Sequence, residues 1–155
     1  MRKYEIKQGG MDDLDSIKPL WEKLNQIHHA ISPFFKERFH NMDWDKRKSK
    51  LLNKASEILF EYAIDKEEKK IIGYCISTIH KDDTKIGEID SIYIDDAYRK
   101  SGIGKKFIEN ALQWLKSKNT ETQILYVSVG NEKVLDFYKQ FNFYPLHIEL
   151  QRIDK

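Results

Sequence analysis

Cysteine, proline, glycine and net charge are all scarce in this chain, and each scarcity excludes something. One cysteine in 155 residues rules out an internal disulfide framework. That residue, Cys75, lies in the apolar run 71-IIGYCISTI-79, where a buried structural thiol is expected rather than a nucleophile or ligand. With three prolines, seven glycines and no low-complexity tract, order is expected almost throughout. The formal net charge of +2, from 27 basic and 25 acidic residues, provides no global field for nucleic acid or an anionic membrane. No apolar run is long enough to span a bilayer, and 1-MRKYEIKQGG-10 lacks the apolar region of a signal peptide. The expectation is a cytoplasmic protein with neither a membrane nor a nucleic-acid partner.

What is present suits one compact domain over residues 1–155, large enough to bury roughly 70% of the surface its unfolded form would expose. Residues 4-YEIKQ-8 predict a first strand, ended by Gly9-Gly10. Leu14, Ile17, Trp21, Leu24 and Ile31 then recur at helical spacing, with the regular helix placed from about Ser16 because Pro19 is tolerated only in a first turn. The aromatic segment 32-SPFFKERFHNMDW-44 reads as a loop with one helical turn, and 45-DKRKSKLLNKAS-56 as a short helix whose charges form a solvated face. Strands are predicted at 57–65, 70–80 and 86–94, forming an antiparallel meander. A long helix runs from Ile103 to about Lys118. The near-continuous apolar run 124-ILYVSV-129 predicts a central strand, 132–141 a shorter helix, and 143-FYPLHIELQRI-153 a last strand interrupted early by Pro145. This order implies an α/β fold: a central mixed, mostly antiparallel sheet of six to seven strands with helices on both faces.

The stretch 98-YRKSGIGKKF-107 sets two glycines and four cations at the start of the long helix. The first NH groups of a helix lack internal partners, the helix dipole adds partial positive charge there, and glycine lets an anion approach the backbone. A phosphate or pyrophosphate is the expected guest. A Walker A loop is excluded, because Arg99 stands at its first glycine position and Lys106 where Ser or Thr is needed. A dinucleotide fingerprint starting at Gly102 is excluded as well, because Phe107 stands where its third glycine should be.

The spacing R-x-x-G-x-G from Arg99 to Gly104, preceded by an apolar strand with two acidic residues, resembles the acetyl-CoA-binding motif of the GNAT family of N-acetyltransferases. The order of elements and the segment 129-VGNEKVLDFYKQFNFYP-145 resemble the family too, from Tyr4 to about Leu150. Asn142 stands where the family usually has Gly; Asn tolerates the left-handed conformation such a turn requires. The resemblance implies an acyl-CoA N-acyltransferase-like fold and direct transfer of an acetyl group from acetyl-CoA to a primary amine of a small molecule or peptide, with no metal. It also implies that the NH groups of Arg99, Lys100, Ser101, Gly102, Ile103 and Gly104 hold the pyrophosphate, with Lys105 adding positive charge. Ile92, Tyr93 and Ile94 would pair with pantetheine beside a bulged strand, and Asn131 would bond its amides.

Tyr138 matches the family tyrosine that protonates the departing thiolate, although core packing would also explain it. An amine acceptor must lose a proton, and Glu88 and Asp90 are the candidate bases, two residues apart on one strand. Either could instead face solvent or pair with a lysine. His28, His29, Phe34, Phe35 and Trp44 fall in the region that lines the acceptor pocket in the family, where packing is the plainer explanation. The histidines show no metal-ligand spacing. A non-catalytic acetyl-CoA-binding module is the alternative function, and edge strands of such sheets often pair, which would give a homodimer.

Overall fold

In the computed structural model, which describes residues 3–154, strand β1 (Tyr4–Gly9) leads through a 3-10 turn (Met11–Ile17) into helix α1 (Lys18–Ile31). Helices α2 (Lys36–His40) and α3 (Trp44–Lys54) precede the meander β2 (Ala55–Asp65), β3 (Ile71–His80) and β4 (Ile86–Ile94). Helix α4 (Ile103–Ser117), strand β5 (Thr122–Ile124) and helix α5 (Leu135–Lys139) complete the order. The strands lie side by side in chain order, antiparallel except for the parallel pair β4 and β5. Pro19 occupies the first turn of α1, where its missing NH costs nothing.

The mixed sheet with helices on both faces is as expected, but among the described residues it has five strands rather than six to seven. The strand expected at 124–129 shrinks to Thr122–Ile124, and the one expected at 143–153 does not form. A strand exists only through its ladder, because an unpaired backbone gains nothing from being extended. The period-two pattern of 143–153 marks a face suited to burial without supplying the neighbour. The helix expected at 132–141 is likewise a 3-10 turn followed by the five residues of α5.

Two apolar layers sandwich the sheet. On one side Leu20 and Trp21 of α1 and Trp44 and Leu51 of α3 pack on Phe60, Tyr74, Ile76 and Tyr93. On the other, Ile103, Phe107, Ile108, Ala111 and Leu115 of α4 cover Ala63, Ile72, Cys75, Ile79 and Ile89. Each fully buried large side chain contributes about 1.5–3 kcal/mol. Helix α4 lies so close over β4 that a Cβ on Gly87 would overlap the Leu115 side chain, which explains a glycine inside a strand. Among the described residues no helix is long and apolar enough to cross a membrane.

Candidate functional site

Strand β4 organises the site. Its ladder with β3 pairs Ser91 with Ile76 and Ile89 with Ser77, so Asp90 is an extra residue without an opposite number: a β-bulge. The insertion reverses the alternation of faces. Glu88, Asp90, Ser91 and Tyr93 look toward α1 and α3, where Ser91 meets the Tyr74 hydroxyl at 2.8 Å. Ile89, Ile92 and Ile94 look toward α4. On the other edge, β4 pairs with β5 only from Ile86 to Glu88, so the backbone from Ile89 to Ile94 is left without a strand neighbour on that side. Of the main-chain groups of Ile92, Tyr93 and Ile94 that face that opening, the Ile94 carbonyl accepts from Arg99 and the others are available to a ligand.

The N-terminus of α4 stands at the end of β4. Gly102, its cap, has φ of +89° and Lys100 has φ of +62°, so two left-handed residues fold the turn back on itself. The first bond inside the helix runs from the Lys106 amide to the Gly102 carbonyl at 3.1 Å. Among the described residues the amides from Lys100 to Lys105 find no main-chain acceptor. The Arg99 amide is engaged, donating to the Asp96 carbonyl at 3.3 Å. The Arg99 side chain also turns inward: Nε donates to the Ile94 carbonyl at 3.1 Å, Nη1 meets Asp96 at 2.8 Å, and the guanidinium lies 5.5 Å from the Tyr93 ring centroid. Arg99 therefore fastens the turn to the strand end. A run of unpaired, dipole-aligned amides flanked by Lys100 and Lys105 fits a diphosphate.

Helix α5 borders the same opening. A Cβ on Gly104 would sit 3.2 Å from Ile94 and 3.4 Å from Phe137, so the first turn of α4, the end of β4 and α5 meet there. The Tyr138 ring packs edge-on against Phe137 and Phe143, and burial pushes its phenol up to about 12. It is a proton holder across the neutral range. The Asn131 side chain makes no capping bond; the residue's main-chain amide donates to the Ser128 carbonyl and its main-chain carbonyl accepts from the Val134 amide. Asn142 has φ of +64°, the left-handed geometry expected of it. Cys75 is 2% exposed, and burial pushes its thiol up to about 12, as expected of a structural cysteine.

On the opposite face the two carboxylates share cations that sequence reasoning assigned to a solvated face. Asp90, whose side chain is fully buried, contacts both Arg47 and Lys54. Glu88 accepts from Lys54 at 3.1 Å and lies 2.8 Å from His80 Nε2. Burial works against the Lys54 charge, but Asp90 and then Glu88 outweigh it and hold the ammonium above its ordinary value. The available signal was spacing: Arg47 and Lys54 are seven residues apart on a helix, hence on one face, opposite carboxylates two apart on a strand.

The aromatic and histidine candidates scatter. Trp44 is core, 5.6 Å from Trp21 and donating to Asp15 at 2.8 Å. His28 stacks on Phe39 and is lowered in pKa by burial, while His29 stands 6.0 Å from His40. Phe34 is exposed and Phe35 half-buried. The carboxyl end of α1 reaches the loop before Asn131: the Ile31 carbonyl lies so close to Gly130 that a Cβ there would overlap it.

With this geometry in place, comparison with known proteins is informative. A profile of the acetyltransferase (GNAT) family matches residues 21–143. The chain is 28% identical over 149 residues to an uncharacterized N-acetyltransferase of Methanocaldococcus jannaschii, covering 92% of this chain and 62% of that one. The matched segments cover 32% and 34% of the length of two further curated relatives, so each match spans less than two thirds of the curated relative's own length. Among solved structures it resembles a GNAT-family acetyltransferase of Staphylococcus aureus Mu50, at a TM-score of 0.71 and 16% identity over 93% of this chain and 86% of that one. It also resembles AAC(6')-Iy in complex with a bisubstrate analogue of CoA and acetylneamine, at a TM-score of 0.63 and 15% identity over 99% of each chain.

Proposed function

Because the chain belongs to the GNAT acetyltransferase family, we propose that it transfers the acetyl group of acetyl-CoA directly to a primary amine of a small molecule or peptide, acting as one domain. The observation that carries this reading is the row of unpaired amides from Lys100 to Lys105 at the open edge of β4. Acetyl-CoA, when bound, supplies an activated thioester carbonyl to the amine.

The chain's own residues do the rest. The amides of Lys100 to Lys105 bind the diphosphate, with the lysine charges adding to the helix dipole. The free groups of Ile92 to Ile94 align the pantetheine arm, as the Asn131 carboxamide does from the facing loop, and an NH at a developing oxyanion is worth several kcal/mol. Tyr138 holds a proton for the departing thiolate. On the other face Glu88 takes the acceptor's proton, directly or through water, and His80 beside it leads toward solvent. Asp90, bonded by two cations, positions the bulge. Such chemistry requires a compartment supplied with acetyl-CoA, and we assign the protein to the cytoplasm.

The engagement of both carboxylates favours a second reading, a module that binds acetyl-CoA without turnover. Calorimetry with CoA followed by a thiol-release assay over polyamines, aminoglycosides, amino acids and peptides separates the two. Saturable heat with thiol release supports the enzyme, saturable heat without release the module, and no heat removes both.

A further inference from the structure

The amides from Lys100 to Lys105 can serve one anion only while two left-handed residues, Lys100 and Gly102, keep their geometry. Lys100 carries a side chain, so its φ of +62° has to be maintained by its surroundings. Most of the bonds around the turn are local. The Tyr98 amide donates to the Asp95 carbonyl at 2.9 Å, the Ser101 hydroxyl donates to the Tyr98 carbonyl, and Arg99 reaches back to Ile94. These bind the turn to itself or to the strand end from which it grows. Among the described residues, Tyr98 alone ties it by a hydrogen bond to a distant element: its hydroxyl donates to Asp65 Oδ2 at 2.6 Å, 33 residues away in sequence.

Asp65 ends β2, and its carboxylate reaches beyond its own hairpin. Oδ1 accepts from the Glu67 and Glu68 amides at 2.8 and 2.9 Å, which is all that closing the hairpin uses. Oδ2 is left for Tyr98. Burial fixes the carboxylate in place, since the residue is 8% exposed. Lys70, across the same hairpin, sets its ammonium 5.8 Å from the Tyr98 ring centroid, so the hairpin holds the ring as well as the hydroxyl. Phenol and carboxylate reinforce each other. The Tyr98 hydroxyl holds Asp65 below the usual carboxylate range, and Asp65 in turn pushes the Tyr98 phenol up, which keeps the charge-assisted bond intact across neutral pH.

We propose that Asp65 and Tyr98 are positioning residues for the diphosphate, clamping the turn to the β2–β3 hairpin so that its amides already converge before the ligand arrives. The proposal rests on the acetyl-CoA reading above. A turn ordered in advance does not have to be ordered by binding, and affinity is higher by that difference.

Calorimetry with CoA on variants of the full chain tests it. Tyr98→Phe removes the hydroxyl and keeps the ring against the apolar layer of α4; CoA affinity should fall about tenfold. Asp65→Ala also uncaps the hairpin, so its melting temperature should drop further, yet CoA affinity should fall by the same factor of about ten. In the double variant the loss should stay at about tenfold instead of reaching about 100-fold, because both substitutions break one bond. Unchanged affinity in Tyr98→Phe overturns the clamp, and so does a loss that follows the melting temperature across the three variants. A wild type that binds no CoA overturns the acetyl-CoA reading and the clamp with it, whereas a wild type and a Tyr98→Phe variant that bind CoA equally well overturn the clamp alone.

Discussion

The two faces of β4 carry opposite chemistry. Toward α3 the strand presents Glu88 and Asp90, tied to Arg47, Lys54 and His80. Toward α4 it presents Ile89, Ile92 and Ile94, beside Phe137 and Tyr138. One inserted residue, Asp90, sets this division. Without the bulge, the alternation would carry Ile92 and Ile94 to the face of Glu88 and Asp90, and charge and hydrocarbon would compete for one layer. The lesson is a separation of tasks: electrostatics anchors the strand from one side, while hydrocarbon on the other joins it to α4 beside the strand edge left open beyond Glu88.

If the division is real, damage to one face should leave the other's property intact. Asp90→Ala removes the buried partner of two cations and should lower stability by about 3 kcal/mol, the low end for breaking a buried pair because Arg47 and Lys54 keep some solvent. A melting temperature about 8 °C lower with unchanged CoA affinity is the expected result, and lost CoA affinity would break the division. Gly102→Asp is the converse, forcing a side chain into the left-handed cap and a carboxylate toward the phosphates. Its CoA affinity, measured calorimetrically, should fall about 100-fold, or about 2.7 kcal/mol, with the melting temperature lowered by about 2–4 °C by the left-handed strain. Tyr138→Phe should lower kcat about tenfold with KM unchanged. Because the phenol is held up to about 12, Tyr138 should add no alkaline limb to the rate profile in the neutral range. An equal rise in KM would assign it to packing alone.

The smallest effect concerns His28, which lies on the α1 side. Its pKa is lowered by burial from 6.5, so protonation favours the unfolded chain. Its contribution to stability is present above pH 6.5 and lost as pH falls through the lowered folded value. Thermal melts between pH 7 and pH 5 should show a shallower acid decline in His28→Gln than in the wild type. An identical decline would locate the acid sensitivity elsewhere.

Local patterns made much of this legible from sequence. The span of β4 and the start of α4 follow from apolar alternation and from glycines at the turn, and Asn142 was expected to be left-handed because few other residues tolerate it. The partners of Asp90 were not legible. Lysines on 45–56 look the same whether they face water or a carboxylate, and only the packing of α3 against the sheet decides. Trp44 was ambiguous for the same reason, since an aromatic in a loop-like segment carries no mark of the layer it will join. The tail failed differently: its pattern is that of a strand, but a pattern cannot state which edge completes it.

Cys75 has a practical consequence. Acetyl transfer from acetyl-CoA, as proposed, releases a free thiol at each turnover, and accessible cysteine thiolates attack the disulfide formed when that thiol is oxidised, giving mixed disulfides. The chain offers no such target, because its only sulfhydryl is sealed between sheet and helix and resists ionisation. Activity should therefore persist under mild oxidation, and a cysteine engineered onto the surface would be the single point of chemical labelling.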